Sequence, residues 1–316
     1  MLAGTSSRWK VKALVQKAIA SLPGRVSLPL YYLVQRRFGN LRQVTPVEHF
    51  RNALWLLRAL KESGYSIDGR TIFEVGTGRT LNLPIAMWLC GASKVVTHDV
   101  NPYLKSELID ASLTYMQHNS AEIVELFGEW AATSCFQSRF AALMAVPRGL
   151  QELLKLTGIQ YFAPADARRT PLPDAAIDCH LSSTVLEHVA REDIRAIFVE
   201  ARRVLRPSGV MAHCIDLSDH FAAFDSALNK LNFLQFSDAE WGFWANNRFM
   251  YQNRLRASDY KLLFEQVGVK PLWLRCAVDT GAAESLRNSV GINSRFAGLP
   301  VDDLATTGLT FVGRFS

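Results

Sequence analysis

From Thr71 onward the sequence alternates short runs of branched and aromatic residues with amphipathic stretches, a pattern that leaves little choice but a parallel sheet joined by helices. TIFEV, KVVTHDV, IQYFAPAD, AIDCHLSS and GVMAHCID read as five strands. LNLPIAMWLCG, EDIRAIFVEARRVL and SDYKLLFEQVG read as helices, and two last strands are expected near 270–277 and 308–314. The expected fold is α/β, a doubly wound, mostly parallel seven-stranded sheet. Residues 103–158 exceed what one crossover needs and read as a helical insertion.

Ahead of this unit, residues 1–66 read as a helical cap on a main domain spanning 67–316. TPVEHFRNALWLLRALKESG is a helix with Thr45 as cap, Pro46 in its first turn and Glu48 closing a capping box. Phe50, Leu54, Leu57 and Leu60 form its buried stripe. Residues 8–22 place Val11, Leu14, Val15, Ala18, Ile19 and Leu22 on one helical face. That face is expected to pack on the domain, with a membrane surface as the competing partner.

Charge is unevenly spread. Residues 1–47 hold eight Lys/Arg and no acid, whereas the remainder holds 27 basic and 29 acidic residues. Basicity therefore belongs to the arm. Five scattered cysteines without a CxxC pair suggest reduced thiols and a cytoplasmic protein. No apolar run approaches the length of a membrane span, and Gln16 and Lys17 interrupt the N-terminal apolar stretch, so no secretory signal is expected.

In such a sheet, ligands sit beyond the carboxyl ends of the strands, so the first turn, EVGTG, is the place to look. Gly76 and Gly78 let the main chain turn tightly and approach a ligand. A dinucleotide fingerprint needs a third glycine where Leu81 stands, which argues against a nicotinamide dehydrogenase. Asp99 ends the second strand, where a carboxylate can accept from both ribose hydroxyls, and Asp166 ends the third, where it could meet an adenine amino group. The plainer readings are a surface turn before Pro102 for Asp99 and a helix or turn cap for Asp166.

EVGTGRT, THDVNP, PADARRTPLPDAAIDCHLSSTVLEHV and EARRVLRPSGV, in this order, resemble the class I S-adenosylmethionine (SAM) dependent methyltransferases, especially the small-molecule type 11 group. The resemblance covers roughly residues 70–215 and implies a Rossmann-like methyltransferase fold with SAM as cofactor. It implies that Glu74 faces the methionine amino group, that Gly76 and Gly78 let the backbone pass the methionine part and that Asp99 holds the ribose, with Thr77 and Val100 in the same cofactor-binding set. Asp166 and Ala167 then meet the adenine edge, while Ser182 to Thr184, Ser183 and Thr184 foremost, line the floor near the sulfonium. Thr80 and Ser208 depart from the usual glycines of the pattern.

An acceptor that must lose a proton needs a base near the strand ends. Glu187 and His188 follow the fourth strand, and Asp216 and His220 follow the fifth. His188, His220 and Glu187 are the catalytic candidates, each weighed against a structural hydrogen bond. His49, near the start of its helix, could close the pocket. No close ligand spacing announces a metal site, and none is expected.

Residues 219–256 read as an acceptor-side lid. Trp241, Trp244 and Tyr251 offer apolar walls, Arg248 and Arg254 offer donors for an anionic head, and Tyr31 and Asp216 could border the same space. The alternative is a packed helix with an Arg-rich outer face. The acceptor expected is a small molecule with a hydrophobic body and an anionic head, such as a prenyl diphosphate or lipid-like compound. A saccharide-linked or carboxylated metabolite is the alternative. A nucleic-acid methyltransferase fits the basic arm, but SSTVLEH lacks the Asn/Asp-Pro-Pro-aromatic motif of amine-methylating base modifiers. A SAM-binding protein without turnover is the rival from another class.

Overall fold

The computed structural model describes residues 7–287 and 291–316. Three helices open the chain: α1 (Arg8–Ala20), α2 (Gly24–Phe38) and α3 (Val47–Glu62). Then come β1 (Thr71–Val75), α4 (Asn82–Leu89) and β2 (Lys94–His98). Between β2 and the short β3 (Gln160–Phe162) lie α5 (Ser106–His118), α6 (Ser120–Phe127), α7 (Ser134–Ala145) and α8 (Leu150–Thr157). They are followed by β4 (Ile177–Ser183), α9 (Arg191–Val204) and β5 (Leu205–Asp216). A segment with α10 (Asp238–Ala245) and a hairpin of β6 (Asn246–Asn247) and β7 (Met250–Tyr251) leads to α11 (Ala257–Gln266). The chain closes with β8 (Val269–Val278), α12 (Thr280–Arg287), α13 (Val301–Leu304) and β9 (Thr306–Phe315).

The main sheet has seven strands in the order β3-β2-β1-β4-β5-β9-β8. All pairings up to β5 are parallel, and β9 runs antiparallel between β5 and β8. This is the doubly wound, mostly parallel seven-stranded fold expected, and the last two strands fall where the alternation placed them. Strand order reverses between β1 and β4.

Alternate residues of the strands feed two cores. Ile72, Cys179 and Leu181 face α3, α4 and the insertion helices. Phe73, Val75 and Met211 face α9 and α11. Phe50, Leu54, Leu57 and Leu60 of α3 are buried as their spacing requires; each such side chain contributes on the order of 1.5–3 kcal/mol. The α3 cap differs from expectation. The helix starts at Val47 with Pro46 as N-cap and no side-chain cap, and Glu48 instead pairs with Arg51 at the surface.

The arm departs more sharply from its sequence pattern. α1 docks through Trp9, Ala13, Gln16 and Ile19, whereas Val11 is 58% and Leu14 49% exposed, with Val15 and Leu22 also open. The most apolar stripe, Ile19 excepted, therefore faces away from the protein. The reason is a tertiary aromatic cluster: Trp9 packs at 5.2 Å from both Phe221 and Trp244 and at 5.8 Å from Phe236. One tryptophan in that nest outweighs several smaller aliphatic side chains.

Candidate active site

A cavity of about 720 Å³ opens at the carboxyl ends of β1, β2 and β4, where strand order reverses. That volume lies within the range of roughly 300–1,000 Å³ usual for ligand pockets. Its wall contains Glu74, Gly76, Thr77, Gly78, Asp99, Val100, Asp166, Ala167, Ser183 and Thr184. Every position singled out for the cofactor thus meets in one space, although they come from four separate stretches of chain.

Glu74 sits on β1 with its carboxyl group buried, accepting from the Thr97 hydroxyl. Burial pushes its pKa up to about 8, and nearby Asp99 adds to the effect. A carboxyl group stranded in this way gains most from a cationic ligand, and the amino group of SAM is one. Asp99 is ordered by two backbone donors, Gly78 N–H on Oδ2 and Asn101 N–H on Oδ1, each at 2.8 Å. One lone pair per oxygen remains available, which suits the two hydroxyls of a ribose. Burial raises its pKa as well.

The turn between these acids depends on glycine. Gly76 has φ +84°, and a Cβ there would lie 2.5 Å from Val185 Cγ2. Gly78 has φ +70° with open space where its side chain would be. Opposite this turn Thr184 holds φ +52°, an unusual strain for a β-branched residue, at the cavity floor. The residues present therefore fit SAM: acids for its cationic end and its ribose, and a main chain stripped of side chains between them.

Asp166 is more engaged than expected. Arg168 grips both its oxygens at 2.8–3.0 Å and also pairs with Asp193. The guanidinium holds the Asp166 carboxyl below its ordinary range. Sequence reading passed over Asn52, Arg79, His98 and Tyr103, which also line the cavity. Arg79 follows Gly78 directly and was within reach of that reading; Tyr103, Asn52 and His98 carried no signal.

Of the catalytic candidates, only His188 lines the cavity. Its Nδ1 lies 2.7 Å from the Tyr251 carbonyl oxygen and must donate to it, which leaves the Nε2 lone pair free. The His220 ring packs edge-on at 4.8 Å behind it. Glu187 is fully buried beside them, and His220 Nε2 lies 3.4 Å from Asp216 Oδ2. Asp216 and His220 belong to this cluster and do not reach the cavity wall themselves.

On the acceptor side, His49, Arg248 and Tyr251 line the cavity, together with Asn247, Phe249 and Met250 of the β6–β7 hairpin. Four expected contacts lie elsewhere. Trp241 is buried and donates Nε1–H to the Gln252 carbonyl at 3.1 Å. Trp244 packs against Trp9 and Phe243. Arg254 is buried, donating to the Phe233 and Phe236 carbonyls and to Asp238. Tyr31 stacks at 4.0 Å on Phe249, one layer behind the wall, and its hydroxyl accepts from Gln16. The causes are tertiary: Trp244 is spent on binding α1, Trp241 on the phenylalanines of its own segment, and Arg254 on carbonyls no strand satisfies.

Residues 130–213, well under half of the chain, match the family described as "Methyltransferase domain". The match leaves the glycine turn outside and includes Asp166 and the Glu187–His188 turn. No curated protein sequence matches the chain. Among solved structures, a SAM-dependent methyltransferase from Mesorhizobium loti aligns at 16% identity over 83% of this chain and 97% of its own, with TM-score 0.41. A second, from Methanosarcina mazei, aligns at 13% over 79% and 93%, TM-score 0.42. A geranyl diphosphate C-methyltransferase from Streptomyces coelicolor aligns at 10% over 84% and 79%, TM-score 0.44. The sheet order, the acid-lined cavity at its switch point and the matched methyltransferase domain agree with, and support, the resemblance to the class I SAM-dependent methyltransferases.

Proposed function

We propose that this methyltransferase acts on a small amphiphile with a hydrophobic body and an anionic head. The observation that carries the reading is a pair of cavity arginines, Arg79 and Arg248, neither ion-paired to a carboxylate among the described residues. Arg79 stacks over the Tyr103 ring at 4.7 Å, and Arg248 donates to the Ser27 hydroxyl at 2.7 Å. Both keep further donors for phosphate or carboxylate oxygens. Tyr103, Phe249 and Tyr251 supply aromatic surface beside them.

When bound, SAM supplies a methyl group on a sulfonium, an activated donor that needs no metal or base of its own. Glu74, Asp99 and Asp166 bind and orient it along the turn. His188, backed by His220, Glu187 and Asp216, acts on the acceptor's oxygen or carbon at the floor. A saccharide-linked or carboxylated acceptor would use the same arginines. The test is transfer of labelled methyl from SAM to a panel of prenyl diphosphates, lipid phosphates, carboxylated metabolites and saccharide conjugates. His188→Ala and His220→Ala are expected to cut turnover at least tenfold with SAM affinity within twofold of the parent. Full turnover in both variants removes the cluster from the reaction, and SAM binding with no transfer to any acceptor favours a binding protein.

The arm extends the same reading. Val11, Leu14 and Val15 of α1 and Leu22 just after it are exposed, as are Val26, Leu30 and Leu33 of α2. Lys10, Arg25 and Arg37 are exposed on these helices, in a segment with no acid before Glu48. Apolar side chains bordered by cations fit an anionic lipid surface. No helix of the described residues is long and apolar enough to cross a membrane, so contact is at the surface. α2 also touches two cavity residues, Arg248 and Phe249, which brings a lipid-borne acceptor close to the site. The protein is expected to cosediment with phosphatidylglycerol vesicles and much less with phosphatidylcholine. Val11→Ser with Leu14→Ser, at exposed positions, should weaken this about tenfold. Equal sedimentation of parent and variant, or a dimer that hides the stripe, overturns it.

A further inference from the structure

Glu187 poses an energetic problem. It is 1% exposed, and among the described residues neither carboxylate oxygen has a well-aligned hydrogen-bond partner. Burying a carboxylate unpaired costs several kcal/mol, and burying a protonated carboxyl with no acceptor still wastes a hydrogen bond. Its position is nevertheless actively held. Asn253 donates its backbone N–H to the Glu187 carbonyl at 2.9 Å and its side-chain N–H groups to the Leu186 and Val189 carbonyls at 2.8 Å. The turn Leu186–His188 is thus pinned by Asn253 with its acid turned into the interior.

Two imidazoles meet it there. One ligand atom from each of Glu187, His188 and His220 lies within 4.8 Å of the other two. The His188 ring is fixed by the Tyr251 carbonyl on Nδ1, the arrangement that presents Nε2 as a metal ligand. His220 Nε2 is buried without a well-aligned hydrogen bond, and Asp216 Oδ2, 3.4 Å from it, brings a further oxygen to the same space. The backbone N–H of His220 faces Gln252 Oε1, whose amide also donates to the Ser218 carbonyl, so this loop is braced as well.

We propose that Glu187, His188 and His220 bind a divalent transition-metal ion at the edge of the methyltransferase cavity. Two imidazoles and one carboxylate are the ligands of zinc, manganese, iron(II) or cobalt sites and suit magnesium or calcium poorly. Three protein ligands leave open positions, as in catalytic sites. Because His188 also lines the cavity, those positions are within reach of an acceptor oxygen. An acceptor hydroxyl that forms an oxygen–metal bond there releases its proton to solvent more readily, because the ion stabilises the anion left behind. This deepens the proposed function and rests on it for the acceptor, though not for metal binding. The sequence conceals the site because the third ligand lies 32 residues beyond its neighbours, across β5.

The test uses the full-length protein, stripped with chelator and titrated with Co²⁺, Mn²⁺ and Zn²⁺ in turn. One equivalent of Co²⁺ is expected to bind and to give visible d–d absorption that Zn²⁺ displaces. Glu187→Gln and His220→Asn should each weaken binding at least tenfold while SAM titrates normally, which certifies their fold. Absence of tight metal binding in the parent, or unchanged binding in both variants, overturns the proposal. If the stripped protein binds SAM and transfers methyl groups at full rate with chelator present, the metal role fails while the methyltransferase reading stands. If metal binds and no acceptor is methylated, the reverse holds.

Discussion

Gly76→Ala is expected to lower stability by about 2–5 kcal/mol and to abolish measurable SAM binding. Two costs combine. A left-handed backbone is disfavoured for alanine by roughly 1–2 kcal/mol, and Gly76 holds φ +84°. The new methyl would also lie 2.5 Å from Val185 Cγ2, an overlap that typically costs about 1–3 kcal/mol. Val185 cannot retreat freely, because it follows Thr184, itself held at φ +52° on the cavity floor. Relief on either side therefore moves the turn or the floor, and both line the cofactor's space. Gly78→Ala is the control. It has φ +70° but open space, so only the backbone cost of roughly 1–2 kcal/mol applies to stability. Denaturant titration and calorimetry with SAM and S-adenosylhomocysteine measure both effects. Parent-like affinity in Gly76→Ala would remove the glycine turn from the cofactor site.

The second large effect concerns acid. His98, His180 and His213 lie in the interior around the sheet, with Phe73 between the first two and the His180 and His213 rings 5.4 Å apart. Among the described residues, both ring nitrogens of His98 and His180 lack well-aligned partners, and the His213 ring bonds through Nδ1 to the Ser182 hydroxyl. Burial holds all three pKa values down, His180 to about 3. Unfolded imidazoles titrate near pH 6.5. Below that pH the unfolded chain takes up protons that the folded chain refuses, so stability falls as pH falls. For His180 alone the slope is about 1.4 kcal/mol per pH unit, or about 2 kcal/mol between pH 6.5 and 5. Glu74 and Glu187, pushed up to about 8, act oppositely in the ligand-free protein, each by about 3 kcal/mol between pH 7.5 and 5, enough to cancel the histidine loss in the parent. The variant His180→Phe separates the two, since the carboxyl groups are common to both proteins. Relative to the parent it should gain about 2 kcal/mol on going from pH 7.5 to 5. Parallel stability curves over that range would mean that His180 is protonated in the folded state or does not titrate with folding.

How far the site was legible can be read residue by residue. The residues expected to hold the cofactor gather in one cavity, and they were legible because the pattern is local: a strand, two glycines and an acid at the next strand end announce themselves in a few consecutive letters. The acceptor side was not. Trp241, Trp244 and Arg254 have the composition of a binding wall, and the structure uses them to anchor α1 and to satisfy buried carbonyls. The same holds for α1, whose hydrophobic periodicity named a face that is exposed, because periodicity finds an apolar stripe without saying what it meets. The cluster of Glu187, His188 and His220 was visible as separate bases and not as one donor set.

By itself the sequence determined the alternation of strands and helices, the seven-stranded sheet, and the turn and acids that suit a charged nucleoside. These follow from hydrophobic period and from backbone freedom at single residues, which act over a few positions. Tertiary structure alone decided which face of the arm is buried, which cavity arginines lack a carboxylate partner among the described residues, and that a buried acid, its neighbouring histidine and a distant one come together. Each of those depends on what lies opposite a side chain, and burial, charge pairing and ligation are properties of the neighbour as much as of the residue.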